Sequence, residues 1–160
     1  MALPDLRLDG KVAVITGGGS GIGQGIALLL AEAGAQVAVA GRIKQRLGKT
    51  CLDIQKAGGT AIAVPTDVQD SRQADALINQ VAQAFGHIDI LVNSAGIRYL
   101  GTTVPLPRQP QPPDVNPGSS PRMSDEDWTK TLDVNVSRTF YCCRAVAPLM
   151  IKQGGGSIIN

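Results

Sequence analysis

Lys11-Val12-Ala13-Val14-Ile15-Thr16-Gly17-Gly18-Gly19-Ser20-Gly21-Ile22-Gly23 decides the fold of this chain. Lys11–Thr16 is an apolar run bounded by Gly10 and Gly17, the pattern of a strand buried on both faces. Apolar residues then recur at Ile22, Ile26, Leu29, Leu30 and Ala33, which predicts a helix over Gly21–Ala33 closed by Gly34. A glycine-rich turn between a buried strand and a helix suits a dinucleotide pyrophosphate. Glycines allow the tight turn and close backbone approach, while helix N-terminal amides and the helix dipole hold negative charge. The preceding strand and following helix raise this signal above that of an ordinary glycine turn.

Outward from this stretch the same alternation continues. Strands are predicted at Gln36–Ala40, Thr60–Pro65 and Ile88–Asn93. Between them lie helices over Arg42–Ala57, with Ile43, Leu47, Cys51 and Ile54 as its stripe, and Ser71–Phe85, with Ala74, Leu77, Ile78, Val81 and Phe85. Strands separated by crossover helices imply a parallel sheet covered on both faces. The rhythm breaks at 101–122, which holds seven of the ten prolines and reads as an exposed loop insertion. Order resumes at Ser124, an N-cap followed by Asp125, Glu126 and Asp127 in a first helical turn. That helix is expected to run unbroken towards Met150, with Trp128 and Phe140 as packing anchors. Ser157–Asn160 starts a fifth strand.

Composition sets the outer limits. A length of 160 residues suits one domain, 1–160, and 43% hydrophobic with 18% charged residues is ordinary for a globular protein. A net charge of +2, with basic residues scattered, gives no footprint for nucleic acid. No apolar stretch is long enough to span a bilayer, and Met1–Arg7 lacks the features of a signal peptide. Cys51, Cys142 and Cys143 have no metal-ligand spacing with the lone His87, so no metal site is expected. Buried thiols in a reducing compartment, by default the cytoplasm, are the plain reading. His87, in Gly86-His87-Ile88-Asp89, reads as a turn residue.

The glycine spacing is Thr16-Gly17, three residues, then Gly21-Ile22-Gly23, which resembles the short-chain dehydrogenase/reductase family. Further motifs follow in the family's order. Asp67-Val68 looks like its adenine-contacting pair, and Asn93-Ser94-Ala95-Gly96 is a Ser variant of its Asn-Asn-Ala-Gly motif. Asn135 matches the asparagine of its catalytic tetrad, which helps to hold a water in a proton relay. Gly155-Gly156-Ser157-Ile158-Ile159-Asn160 resembles the strand leading to its catalytic serine. Each match has a plainer alternative. Asp67 or Asp70 could cap the next helix, Asn93 could end a strand, and Asn135 could be incidental, although asparagine is a poor helix-interior residue without a task.

The resemblance implies an α/β fold, a Rossmann-like doubly wound parallel sheet incomplete at its C-terminus. It also implies an NAD(P)-dependent oxidoreductase moving hydride between a cofactor and a small carbonyl or secondary alcohol. Thr16, Gly17, Ser20, Gly21, Ile22 and Gly23 would cradle the pyrophosphate, with Asp67, Val68, Asn93, Ala95 and Gly96 on the adenine and ribose side. Cofactor choice turns on the end of the second strand. An acidic residue there binds a ribose 2′-hydroxyl and repels a 2′-phosphate. This chain has Gly41, followed by Arg42, whose fork can pair with that phosphate, so NADP(H) is favoured over NAD(H).

In the family a Tyr-x-x-x-Lys pair and a Ser complete the chemistry. Tyr99 and Tyr141 have Thr103 and Ala145 four residues on, so of the tetrad only Asn135 is present. The chain is therefore expected to be the cofactor-binding part of a longer enzyme, inactive alone and exposing a sheet edge and one side of the 124–150 helix. Through that helix the parent is expected to form a homo-oligomer. The alternative is a non-catalytic nucleotide-binding or interaction module that ends at Asn160.

Overall fold

The computed structural model describes residues 7–96 and 124–160. The proline-rich 101–122 segment lies outside them. The order is β1 (Val12–Thr16), α1 (Gly21–Glu32), β2 (Gln36–Gly41), α2 (Lys44–Lys56), β3 (Ala61–Pro65), α3 (Ser71–Phe85) and β4 (Ile90–Asn93). Then come α4 (Asp125–Leu132), a π-helical segment (Asp133–Ser137), α5 (Arg138–Gln153) and β5 (Ser157–Ile159). All strand pairs are parallel, in the order β3-β2-β1-β4-β5. This is the doubly wound arrangement, with the connection reversing between β1 and β4.

The strands read as continuous apolar runs because both faces are covered, and alternate residues go to different cores. Val12 and Val14 of β1, Ala38 and Ala40 of β2, and Leu91 of β4 pack with α3 and α5. Ala13 and Ile15, Val37 and Val39, and Val92 face the opposite way, onto α1 and α2. All five residues of β1 are buried, as the centre of the sheet requires.

Three expectations from periodicity are corrected. On α1, Ile22 is 80% and Leu29 65% exposed, while Gly23 and Ala27 are the buried residues. Small residues let this helix approach the sheet closely, so the apolar stripe turns partly outward. Trp128 and Phe140 are 53% and 57% exposed rather than anchored in the core. Phe140 instead carries the Arg144 guanidinium 5.4 Å from its ring centroid. The helix from Ser124 is not continuous either. Its α-helical ladder is interrupted at Asp133–Ser137, around Asn135. Single-turn π segments of this kind often sit at functional sites.

Helix ends follow their local chemistry. Ser124 accepts a hydrogen bond from the Asp127 amide (3.0 Å), and Asp70 caps α3 by accepting from the Arg72 amide (3.0 Å). Gly86 and Gly154 close α3 and α5 in the left-handed region.

Asp89 ties the start of β1 to the start of β4. It accepts from the Val12 amide (2.9 Å) and from Lys11 Nζ (3.0 Å), and His87 Nε2 lies 3.1 Å away. Burial raises its pKa, but the Val12 and Lys11 hydrogen bonds and the nearby His87 and Lys11 charges outweigh that and leave it lowered. A depressed folded-state pKa stabilises the fold in full above the unfolded-state value, near ~3.9. That stability is lost as pH falls from there through the folded-state value. Asp89→Asn is therefore expected to lower stability by about 1 kcal/mol at pH 7. Urea melts at pH 7 and pH 3 check this, because the gap between the two proteins should narrow at the lower pH.

Candidate functional site

At the C-terminal ends of β1, β2 and β4 the chain forms a cleft of about 430 Å3. Open parallel sheets place ligand sites at this end, where the strand order reverses. One wall is the glycine turn. Gly17 has φ +72°, and a Cβ there would meet the Ser94 carbonyl oxygen at 2.9 Å and the Ala95 backbone at 3.0 Å. A Cβ on Gly23 would lie 2.5 Å from the Gly17 carbonyl oxygen. The turn, the start of α1 and the loop after β4 are thus packed backbone against backbone. Gly17, Ser20, Ile22 and Gly23 line the cleft at the N-terminus of α1. Gly21 (φ +56°) opens that helix in a conformation suited to glycine.

Thr16 fixes the opposite lip. Its buried hydroxyl accepts from the Ala95 amide (3.1 Å) and donates to the Val92 carbonyl (3.4 Å), joining β1 to the loop after β4. Ser94, Ala95 and Gly96 line the cleft directly. Asn93 stands just beneath, at the end of β4. Its Nδ2 donates to Asn160 Oδ1 (2.9 Å) and to Cys143 Sγ (3.4 Å), while its buried Oδ1 finds no partner among the described residues. Asn93 therefore does more than end a strand, since it links β4 to α5 and to the residue after β5.

Asp67 and Val68 line the far side, after β3. The capping alternative is settled in favour of Asp70, which leaves the Asp67 side chain to accept from the Gln69 amide (3.1 Å) at the cleft. Asn135 lies in the π-helical segment. Its Oδ1 stands 3.1 Å from where a Cβ on Gly96 would be, which brings it alongside the loop after β4.

Five lining residues, Ile43, Arg46, Leu47, Thr66 and Arg138, escaped the sequence reading. Thr66 is buried behind Asp67, its hydroxyl donating to the Val64 carbonyl (3.0 Å). Leu47 forms part of the floor near Gly19. Arg46 lies in the first turn of α2 and Arg42 just before that helix, and both line the cleft. Arg138, the first residue of α5, also lines it, although only 6% of its surface is exposed. Spacing could have found the arginines. Arg46 follows Arg42 by four residues and Arg138 follows Asn135 by three, the intervals that bring helical side chains to one face.

The chemistry of these walls fits a dinucleotide. A Cβ on Gly17, Gly18 or Gly23 would crowd the glycine turn, and two buried polar atoms, Asn93 Oδ1 and Arg138 Nε, are unpartnered among the described residues. Among the described residues no group of His, Cys, Asp and Glu could hold a metal ion.

A family model described as short chain dehydrogenase matches residues 11–160. The chain belongs to the short-chain dehydrogenase/reductase family. An uncharacterized oxidoreductase of Staphylococcus aureus strain USA300 is 36% identical over 156 residues, covering 96% of this chain and 58% of that protein. The D-threitol dehydrogenase of Mycolicibacterium smegmatis is 39% identical over 158 residues, covering 98% and 54%. Among solved structures, a hydroxysteroid dehydrogenase from Escherichia coli superposes with a TM-score of 0.77 at 37% identity, covering 96% of this chain and 57% of that one. A 7α-hydroxysteroid dehydrogenase complexed with NADH and 7-oxo glycochenodeoxycholic acid gives 0.77 at 36% identity, covering 96% and 53%. The chain thus spans somewhat more than half the length of these relatives. Short-chain dehydrogenases/reductases are oxidoreductases with a Rossmann-type nucleotide fold, which accounts for both the strand order and the position of the cleft.

Proposed function

We propose that this chain is the cofactor-binding part of an NADP(H)-dependent oxidoreductase that acts on a small carbonyl compound or secondary alcohol. The observation that carries this is the cleft, which joins a glycine cradle to three arginines, Arg42, Arg46 and Arg138, against one carboxylate, Asp67. The backbone of Thr16, Gly17, Ser20, Gly21, Ile22 and Gly23 would hold the pyrophosphate. Asp67, Val68, Asn93, Ala95 and Gly96 would face the adenine and ribose. When bound, the cofactor supplies the hydride, and Asn135 would help to position a proton-relay water.

Arg42 follows Gly41, where an acidic residue would favour a 2′-hydroxyl, and it stands exposed at the cleft rim. The related 7α-hydroxysteroid dehydrogenase is complexed with NADH, the cofactor that an acidic strand-end residue would favour. Arg42→Ala is expected to weaken NADPH binding by about tenfold and to leave NADH binding nearly unchanged. Fluorescence titration of the two reduced cofactors reads this directly, and equal losses for both would sink the NADP assignment.

The chain contains no Tyr-x-x-x-Lys. A tyrosine near its ordinary pKa of ~10 is a poor proton carrier at neutral pH without such help. Binding without turnover is therefore the expected behaviour of these 160 residues. Steady oxidation of NADPH with a panel of ketones would overturn that expectation. We also assign homo-oligomerisation of the parent to the 124–150 region, where Trp128, Leu132, Val136 and Phe140 are exposed. Sedimentation of a Phe140→Glu variant as the same species as wild type would count against it.

A further inference from the structure

Arg138 is the most confined charge in the cleft. It sits where α5 leaves the π-helical segment, 6% exposed, and its Nε has no hydrogen-bond partner among the described residues. A buried guanidinium with an unmet donor is costly, and arginine cannot escape by shedding its proton. Its surroundings compensate only in part. Burial lowers the Arg138 pKa, the Asp67 carboxylate opposes that shift, and Arg42 adds to it. Arg46 lines the same cleft. Three guanidiniums from α5, the β2–α2 junction and α2 therefore face one carboxylate in the cleft, a local excess of positive charge. Arg42 and Arg46 are exposed at the rim, where solvent screens them. Arg138 lies below, where the same charge acts at lower effective dielectric on a side chain already fixed by packing.

We infer that Arg138 is a specificity-determining residue that works with Arg42 to select a 2′-phosphorylated adenosine, its open Nε–H and buried charge directed at that phosphate. This rests on the NADP reading above and adds to it a residue outside the usual strand-end position. A dianionic phosphate would relieve the mutual repulsion of the arginines, whereas a 2′-hydroxyl would leave it standing. Preference for the phosphorylated cofactor should thus depend more on the buried arginine than on the exposed one.

Calorimetric titration of the 160-residue chain with 2′-phospho-ADP-ribose and with ADP-ribose tests this, since neither ligand can turn over. Wild type should prefer the phosphorylated ligand. Arg138→Met should cut that preference by about tenfold or more while ADP-ribose affinity stays within about twofold. Arg138→Lys, which keeps the charge and loses the fork, should retain an intermediate preference and serves if the Met variant does not fold. An unchanged preference in both variants would overturn the role of Arg138 and leave the NADP reading intact. Equal losses for both ligands would also overturn it, by assigning Arg138 to the base or to the fold. A wild type with no preference at all would overturn the NADP reading and this inference together.

Discussion

Gly23→Ala is expected to lower nucleotide affinity by more than about thirtyfold and stability by about 2 kcal/mol. The added methyl would lie 2.5 Å from the Gly17 carbonyl oxygen, 2.8 Å from the Gly17 carbonyl carbon and 3.1 Å from Ser94 Oγ. Two of those three atoms are backbone, and Gly17 is itself held within 2.9 Å of the Ser94 carbonyl by the same measure. Neither side of the contact can swing away as a long side chain would. The N-terminus of α1 must move off the turn, and that movement opens the glycine cradle at the cleft. A neighbour provides the control. A Cβ on Gly25, two residues along α1, meets nothing within 4 Å. Gly25→Ala should therefore leave affinity unchanged and raise stability by about 0.5–1 kcal/mol through helix propensity. Equal behaviour of the two alanine variants in cofactor titrations would show that the glycine contact is not what shapes the site.

The parts of this site that could be read from sequence were those that local backbone chemistry dictates. A glycine at positive φ, a strand buried on both faces and an N-cap serine each leave a one-dimensional mark. Gly17, β1 and Ser124 accordingly stand where the sequence places them. Periodicity was less informative about which way a helix faces. On α1 the larger residues suggested a face through Ile22 and Leu29, whereas Gly23 and Ala27 are the ones buried. A helix held close to a sheet is set by its small residues, and a search for apolar bulk overlooks them. The π-helical segment around Asn135 left no mark of its own, because the residues Asp133–Ser137 are compatible with an ordinary helix.

Arg138 illustrates a different limit. In a linear reading it is a polar residue on a long helix, and solvent exposure is the ordinary expectation for arginine. Its burial arises only when α5 packs beside α3 and β4, at a cleft whose other wall is the loop after β3. Asp67, Arg42 and Arg138 are far apart in the chain, and their mutual field exists only in the folded state. Charge balance within a cleft is thus a tertiary property, even where every glycine that shapes the cleft is legible in advance.

Leu91→Ala should be strongly destabilising, at about 2–5 kcal/mol. Leu91 is fully buried at the middle of β4, paired with Val14 of β1 on one side and Ile158 of β5 on the other. Its side chain belongs to the core shared with α3 and α5, where Leu77, Val81, Cys142 and Val146 are also buried. Those neighbours are carried by rigid helices and cannot collapse into the space left behind. Domains of this size are commonly stable by only ~5–15 kcal/mol, so the loss is a large fraction of the total. Leu91 does not line the cleft, which leaves the glycine cradle untouched. A nucleotide that binds only the folded state adds about 2.7 kcal/mol at one hundred times its Kd. Saturating NADPH should therefore recover most of the thermal stability of Leu91→Ala, while Gly23→Ala, binding more than about thirtyfold more weakly, should gain less than about 0.9 kcal/mol at the same concentration. Thermal melts of both variants with and without nucleotide separate damage to the core from damage to the site. Recovery of both to the same extent would mean that the cradle tolerates a methyl at Gly23, and the geometry drawn from that contact would be wrong.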